Sequence, residues 1–174
     1  MELNKKIRER LSIRKFKDKD VSDELINEIL ETARWAPSGL NNQPWKFIII
    51  KDSDVKEQIA QQTHYSKIIR NAPISIAVFY DKGVGYNYVK DVQCCGAAIQ
   101  NMLLAIHNHD LGGVWLGEIL NKRTKVERIL AVPKDYELMA VVSLGYPDEK
   151  KKQRSRKSLS ELTFLNKYGQ KWIK

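Results

Sequence analysis

Three residues near the start of the chain, Arg10, Ser12 and Arg14, have types and spacing suited to binding an anion. In an extended segment, residues two apart share one side, so both guanidinium groups and the hydroxyl would project together. The forked donors of arginine match phosphate oxygens, and the serine hydroxyl adds a shorter donor. The spacing therefore indicates a phosphate clamp. The alternative is a solvated basic strand, because further lysines and arginines surround these positions.

A second candidate site is the polar loop that runs from Pro37 to Trp45. Pro37 disfavours helical torsions at the residue before it, and Pro44 prepares an extended entry into the next segment. The residues between the prolines carry enough hydrogen-bond donors and acceptors to edge a flat polar ligand; they include Ser38, Asn41, Asn42 and Gln43. The alternative is a loop whose polar side chains only cap a helix and close turns.

Positive charge is concentrated a second time in residues 150–157, where six of eight residues are basic, including Arg154 and Arg156. Such a run is either a solvated tail or part of an anion site. The whole chain has a formal net charge of +9, which suits phosphate, nucleic acid or an acidic surface as a partner. Basic and aromatic residues do not alternate as they do in RNA-binding modules, however, so scattered charge that serves solubility also explains the excess.

Metal and disulfide chemistry are not expected. Cys94 and Cys95 are the only cysteines, and neighbours on a helix point in different directions. His107 and His109 are two apart at a predicted helix end and cannot share one helical face as metal ligands. We therefore expect no metal site. With no apolar leader and no apolar run long enough to span a membrane, the sequence favours a protein of the reducing cytoplasm.

The hydrophobic pattern predicts alternating helices and strands that would position these residues. Predicted helices cover residues 3–10, 52–62, 65–71, 86–108 and 122–130, together with a helix that Ser22 caps and that ends near residue 34. Asn121 is the possible cap of the helix at 122–130. Predicted strands cover residues 45–50, 74–80, 114–118 and 138–144. The dense apolar run at 45–50 is typical of a strand buried on both faces.

The chain fits one domain, residues 1–174, since no linker divides it. Residues 158–174 form a C-terminal extension that is rich in apolar side chains, among them Leu162, Phe164, Leu165, Tyr168 and Trp172. This is too much apolar surface to leave in water. We expect the extension to pack on a second copy of the chain.

Four segments together resemble the nitroreductase family of flavin enzymes. In chain order they are Arg10-x-Ser12-x-Arg14, the loop from Pro37 to Trp45, Gly112 followed by Trp115-Leu116-Gly117, and Arg154-x-Arg156 after Gly145-Tyr146-Pro147. Short basic or glycine-containing strings recur by chance, but four in family order do not. The resemblance covers nearly the whole chain.

The resemblance implies an α+β fold with a central, mostly antiparallel sheet flanked by helices, in a homodimer of the domain-swapped type that binds FMN at its interfaces. Arg10, Ser12, Arg154 and Arg156 would grip the FMN phosphate, and Arg14 would reach the ribityl chain or the pyrimidine edge. The polar loop would come from the partner subunit, with Pro37, Ser38, Gly39 and Asn41 beside the flavin and Gln43 shaping the loop. Leu116 and Gly117 would bring main-chain donors to it.

The implied activity is an oxidoreductase that takes hydride from NADH or NADPH and reduces a nitroaromatic, a quinone or a similar acceptor by a ping-pong mechanism. No catalytic side chain is named, since the flavin carries the redox chemistry. Two other classes of function stay open: a nonenzymatic flavin carrier and a basic nucleic-acid module. Leu11 stands where many family members have a second arginine, and the short chain leaves the substrate pocket undefined.

Overall fold

The computed structural model describes residues 2–149 and 155–172. Its centre is a four-stranded antiparallel sheet of β1 (Trp45–Ile50), β2 (Ile74–Asp81), β3 (Gly112–Leu116) and β4 (Tyr136–Gly145), in the order β1-β2-β4-β3. This confirms the expected α+β fold with a mostly antiparallel sheet. Because neighbouring strands in the sheet are not all neighbours in sequence, the connecting segments must cross its faces, and the helices lie there.

Seven α-helices occur in the described residues: α1 (Glu2–Glu9), α2 (Asp23–Arg34), α3 (Ser53–Ala60), α4 (Ser66–Asn71), α5 (Tyr88–Asn108), α6 (Arg123–Ile129) and α7 (Leu159–Leu162). Two short 3-10 turns, Gly39–Asn41 and Glu118–Lys122, follow α2 and β3. None of these helices combines the length and the apolar character needed to cross a membrane.

The caps explain where the helices begin. Ser22 accepts from the backbone N–H of Leu25, as predicted for α2. The longest helix begins at Tyr88 rather than at residue 86, because the side chain of Asn87 caps it by accepting from Lys90 N. The prediction that Asn121 caps α6 is wrong, since the Asn121 amide donates to Glu118 instead.

The core lies on both faces of the two central strands. On one face Ala77, Phe79 and Val141 pack with Ile59, Ile69 and Val126 of α3, α4 and α6. On the other face Ile76, Val78 and Val142 pack with Ile26, Ile29, Ile99 and Met102 of α2 and α5. Side chains of a strand alternate between faces, so strands β2 and β4, apolar at nearly every position, require a helical layer on each side.

Strand β1 corrects one prediction. Only Trp45 and Ile50 of this strand are buried, and Ile49 keeps 41% of its surface exposed. The strand lies at the edge of the sheet, paired only with β2. An uninterrupted apolar run therefore did not distinguish an edge strand from a central one.

The segment between α1 and α2 docks at the β3 edge of the sheet, opposite the β1 edge. The N–H of Ile13 donates to Gly113 O at 3.1 Å, and Lys17 N donates to Tyr146 O at 2.9 Å. Gly112 permits this approach, since a Cβ there would lie 2.6 Å from Ile13 Cβ. Residues 12–17 are thus held between the start of β3 and the chain that leaves β4.

A buried hydroxyl pair gives a test of the sheet register. Ser75 and Ser143 are fully buried, stand directly opposite each other, and their Oγ atoms are 2.9 Å apart. Ser143→Ala is expected to lower the free energy of unfolding by about 1–3 kcal/mol, because it leaves a buried hydroxyl without its partner. The double variant with Ser75→Ala should cost less than the two single costs added.

Urea unfolding at one fixed protein concentration measures these effects through the midpoint, with the slope unchanged. The exposed Ser53→Ala is the control and should stay within about 0.5 kcal/mol of wild type. Strictly additive costs for the Ser75 and Ser143 changes would show that the hydroxyls do not pair.

Candidate functional site

Arg10 and Arg156 form the centre of a cationic cradle. Arg10 follows α1 and is half-buried, and in the described part of the chain its Nε is a buried donor without a hydrogen-bond partner. Burial and the nearby guanidinium of Arg156 both lower the pKa of Arg10 from its ordinary value. A buried donor beside a second positive charge is unfavourable unless an anion arrives to satisfy both.

Ser12 and Arg14 lie on the next two alternate positions, beside β3. Ser12 bridges to Gly113, and Arg14 Nη1 donates to Ser12 O at 3.1 Å. The backbone N–H groups of Arg14 and Lys15 both donate to the carboxylate of Glu149. The chain therefore enters the basic run next to the clamp, although Arg154 lies outside the described residues.

The polar loop after α2 is closed by its own hydrogen bonds. Ser38 Oγ accepts from Gln43 N at 3.0 Å, and Ser38 O accepts from Asn41 N at 3.2 Å. Gln43 Nε2 donates to Asn41 O, which confirms that Gln43 shapes the loop. Ser38 therefore closes a turn, while Pro37, Leu40 and Asn41 remain exposed at the surface.

This loop borders a shallow concavity of about 280 Å³ on the first half of α5. Pro37, Ser38 and Gly39 line one side, and the other side is formed by Lys90, Gln93, Cys94 and Ala97. Gly39 is required here, because a Cβ would lie 2.1 Å from the hydroxyl oxygen of Tyr86. A flat group could therefore lie against main chain and small side chains.

The clamp and the loop lie at opposite ends of α5. The loop faces residues 90–97, whereas Leu11 and Ile13 of the clamp segment lie beside His107 near the other end. Ala97 and His107 are separated by about 15 Å of helix, from the rise of ~1.5 Å per residue. The two candidate binding segments of one chain therefore do not face each other.

Leu116 is the last residue of β3, and Gly117 follows it. Leu116 is buried, and Gly117 is exposed, with the nearest atom to a Cβ there 3.8 Å away. The carboxylate of Glu118 holds the turn by accepting from the Thr63 hydroxyl and from His64 N. The bond from Thr63 contributes most to lowering the pKa of Glu118 from its ordinary value. The Gly117 main chain is open to a ligand.

Comparison with known proteins identifies the arrangement. The model of the Nitroreductase family matches residues 7–64 and 55–146. The chain belongs to the nitroreductase family. A relative from Archaeoglobus fulgidus, named "Putative NADH dehydrogenase/NAD(P)H nitroreductase", is 39% identical over 84% of this chain and 86% of its own length. An iodotyrosine deiodinase from Thermotoga neapolitana is 27% identical over 86% of this chain and 90% of its own.

A solved structure agrees over nearly the full length. The crystal structure of a nitroreductase from Desulfovibrio desulfuricans, in complex with FMN, superposes with a TM-score of 0.90 at 43% identity. The match covers 95% of this chain and 97% of that one. The nitroreductase fold predicted from the four sequence segments is thereby confirmed, while the roles of the individual site residues in this chain remain predictions.

Sequence reasoning missed two residues that hold the polar loop. Asp91 is fully buried in the first turn of α5 and accepts from Asn42 at 2.8 Å, which ties the polar loop to the helix. Tyr86 packs against Gly39. The available signal was an acidic residue in the first turn of a predicted helix, where the helix N-terminus favours negative charge; nothing local indicated that it would be buried.

An anion effect would test the cradle without any cofactor. In flavin-free protein, phosphate at several times its Kd is expected to raise the unfolding midpoint by about 2–4 °C over chloride at equal ionic strength. Arg10→Gln should remove most of that increment, because it removes the buried unpaired donor. Differential scanning fluorimetry is the measurement.

The control is Arg8→Gln, which removes an exposed charge from the preceding helix and should leave the phosphate increment in place. Equal loss of the increment in both variants would indicate a general charge effect and no cradle at Arg10.

Proposed function

We propose that this protein is an FMN-dependent oxidoreductase that takes hydride from NADH or NADPH and reduces a small acceptor such as a nitroaromatic or a quinone, in a ping-pong reaction. The observation that carries the proposal is the half-buried Arg10, whose Nε lacks a partner in the described chain and whose neighbour is the cation Arg156. The relatives named as NAD(P)H nitroreductases and the FMN complex of the Desulfovibrio desulfuricans protein support the choice of reaction and cofactor.

The residues present fit the phosphate end of FMN. Arg10 and Arg156 supply positive charge, and Ser12 stands on the same segment with a hydroxyl donor. A phosphate dianion would satisfy the buried guanidinium donor and relieve the repulsion between the two cations. Arg154 would add a third guanidinium to the same anion.

The remaining site residues suit the flavin ring. Arg14, half-buried and fixed by its bond to Ser12 O, would reach the ribityl chain or the pyrimidine edge. The exposed main chain at Gly117 offers a donor at the end of β3. When bound, FMN supplies the two-electron chemistry, accepting hydride from the nicotinamide and passing it to the acceptor. A cation beside the pyrimidine would favour the reduced, anionic form.

A second copy of the chain would complete the site. Because the clamp and the polar loop lie at opposite ends of α5, the loop of a partner is needed to bring Pro37, Ser38, Gly39 and Asn41 to a flavin held by Arg10. The apolar residues of the C-terminal extension remain exposed in the single chain, with Leu162 at 58% and Trp172 at 59%. Burying them against a partner is favourable.

The two free cysteines, Cys94 and Cys95, suit a protein that works in a reducing compartment such as the cytoplasm.

The absorption spectrum of the purified protein tests the proposal directly. We expect a yellow protein with flavin bands that bleach when NADH or NADPH is added without oxygen, and that recover when a quinone or nitroaromatic follows. A yellow protein that neither nucleotide bleaches would instead favour the flavin carrier. A colourless protein that cannot take up FMN would overturn the proposal and favour a nucleic-acid role for the basic run.

Arg10→Gln is expected to weaken FMN binding about 10- to 100-fold, the value of one or two charge-assisted hydrogen bonds. Fluorescence titration of flavin-free protein with FMN measures this, and Arg8→Gln again serves as the control. Arg14→Gln should make the bound flavin harder to reduce, because it removes the cation from the pyrimidine edge.

Assembly is tested separately by light scattering after size exclusion. Wild type should elute at twice the chain mass of 20.1 kDa, and Leu162→Glu should shift it towards the monomer and lower FMN affinity in parallel. The control Lys167→Glu changes an exposed charged residue of the same extension and should remain dimeric. A dimer that survives Leu162→Glu unchanged would contradict packing of the extension on the partner.

A further inference from the structure

The buried carboxylate of Asp91 joins three segments of the chain. Its Oδ2 accepts from the backbone N–H groups of Tyr86 and Asn87, each at 2.9 Å, and from the Tyr80 hydroxyl at 3.4 Å. Its Oδ1 accepts from Asn42 Nδ2 at 2.8 Å. Asp91 therefore connects strand β2, the turn that leads into α5, and the polar loop between Pro37 and Pro44.

The polar loop needs such a connection. Leu40, Asn41 and Gln43 have positive φ angles of 55°, 55° and 47°, a region that residues with a Cβ rarely occupy. Conformations of this kind persist only when surrounding contacts determine them. The hydrogen bonds within the loop close it on itself but do not attach it to the rest of the protein.

Asp91 reaches the loop by two routes. Directly, it receives one hydrogen of the Asn42 amide, whose other donation goes to Val84 O at 3.2 Å. Indirectly, it fixes the backbone of Tyr86, whose ring lies against Gly39 so closely that no Cβ could fit between them. The indirect route ends on Gly39, which lines the concavity, and the direct route ends on Asn42, three residues later in the loop.

The charge itself contributes to this arrangement. Burial alone would raise the pKa of Asp91, but the bonds from Asn42, Asn87, Tyr86 and Tyr80 outweigh burial and lower it below the ordinary value. The group is therefore an ionised acceptor. Donors bind a carboxylate more strongly than a neutral amide oxygen.

We propose that Asp91 is a positioning residue, whose buried carboxylate acts through Asn42 to hold the Pro37–Pro44 loop in the shape that contacts the flavin ring. The flavin part of this inference rests on the proposed function, whereas the control of loop shape does not. Asp91 is fully buried, so this role does not require it to touch substrate or cofactor. Its effect is on the order of the loop, and through it on the binding of FMN and of the molecules that stack on it.

Hydrogen exchange of the flavin-free protein tests the loop directly. The amides of Asn41, Asn42 and Gln43 are protected by bonds within the loop. Asn42→Ala, which removes the amide that donates to Asp91 and to Val84 O, is expected to make them exchange about tenfold faster or more. Asp91→Asn should do the same, and the effect of the double variant should be smaller than the two single effects added, because both changes break the bond between Asn42 and Asp91.

Asp81→Asn is the matched control. Asp81 is also a buried carboxylate, 7% exposed, at the end of β2, but its side chain contacts Lys46 and Gly83 N and not the loop. It should leave loop exchange unchanged. If Asp91→Asn fails to fold, Asn42→Ala still decides the matter, because Asn42 is only half-buried in a surface loop.

The outcomes separate this inference from the proposed function. In the FMN-loaded enzyme, Asn42→Ala should raise the Kd for FMN and the KM for the nicotinamide severalfold, with a smaller change in kcat. Unchanged loop exchange in both variants, or strictly additive effects in the double variant, would overturn the positioning role even if the protein is a working flavoenzyme. Faster loop exchange in a protein that binds no FMN would support the positioning role and defeat the proposed function alone.

Discussion

The pairing of β2 with β4 is the constraint on which the rest of the structure depends. Both strands are buried along nearly their whole length, and their side chains alternate between two apolar layers. Such a pair cannot be stable with a solvated face. Helices must therefore cover both faces. The longest of them, α5, lies on one face, and the two candidate binding segments lie near its opposite ends. The edge strands β1 and β3 adjoin the two candidate binding segments: β1 follows the polar loop, and β3 pairs with the clamp segment.

The clamp owes its geometry to the edge of β3. Without the bonds from Ile13 to Gly113 and from Lys17 to Tyr146, residues 10–14 would be an ordinary basic stretch in water. Docking removes part of the Arg10 guanidinium from solvent and brings Arg156 near it. The fold thus holds the like charges of Arg10 and Arg156 near each other. This arrangement lowers the stability of the protein by itself and is typical of ligand sites.

The architecture and the site differ in how far the sequence foretells them. Helix and strand positions followed from apolar periodicity. The exact ends were harder to predict, because several neighbouring polar residues could each serve as the cap, as Asn87 does for α5. The edge position of β1 could not be foretold, because strand order depends on long-range packing. The clamp was visible because Arg10, Ser12 and Arg14 are close in sequence. The connection between Asn42 and Asp91 was not, since a contact between a loop and a helix 49 residues apart in sequence leaves no local pattern.

The division of the candidate site between the two ends of α5 has a thermodynamic consequence. A ligand that bridges the clamp of one chain and the loop of another binds the assembled pair and not the single chain, so ligand binding and assembly stabilise each other by mass action. In such a pair the polar loop, with its positive φ angles, would gain order from three sources: its own turn bonds, the bond to Asp91, and the ligand. Because the first two are already present in the free chain, less entropy remains to be lost on binding, and the loop can discriminate by shape. The buried carboxylate at the start of α5 is therefore part of the affinity of the site, although it lies beneath the surface that a ligand would touch.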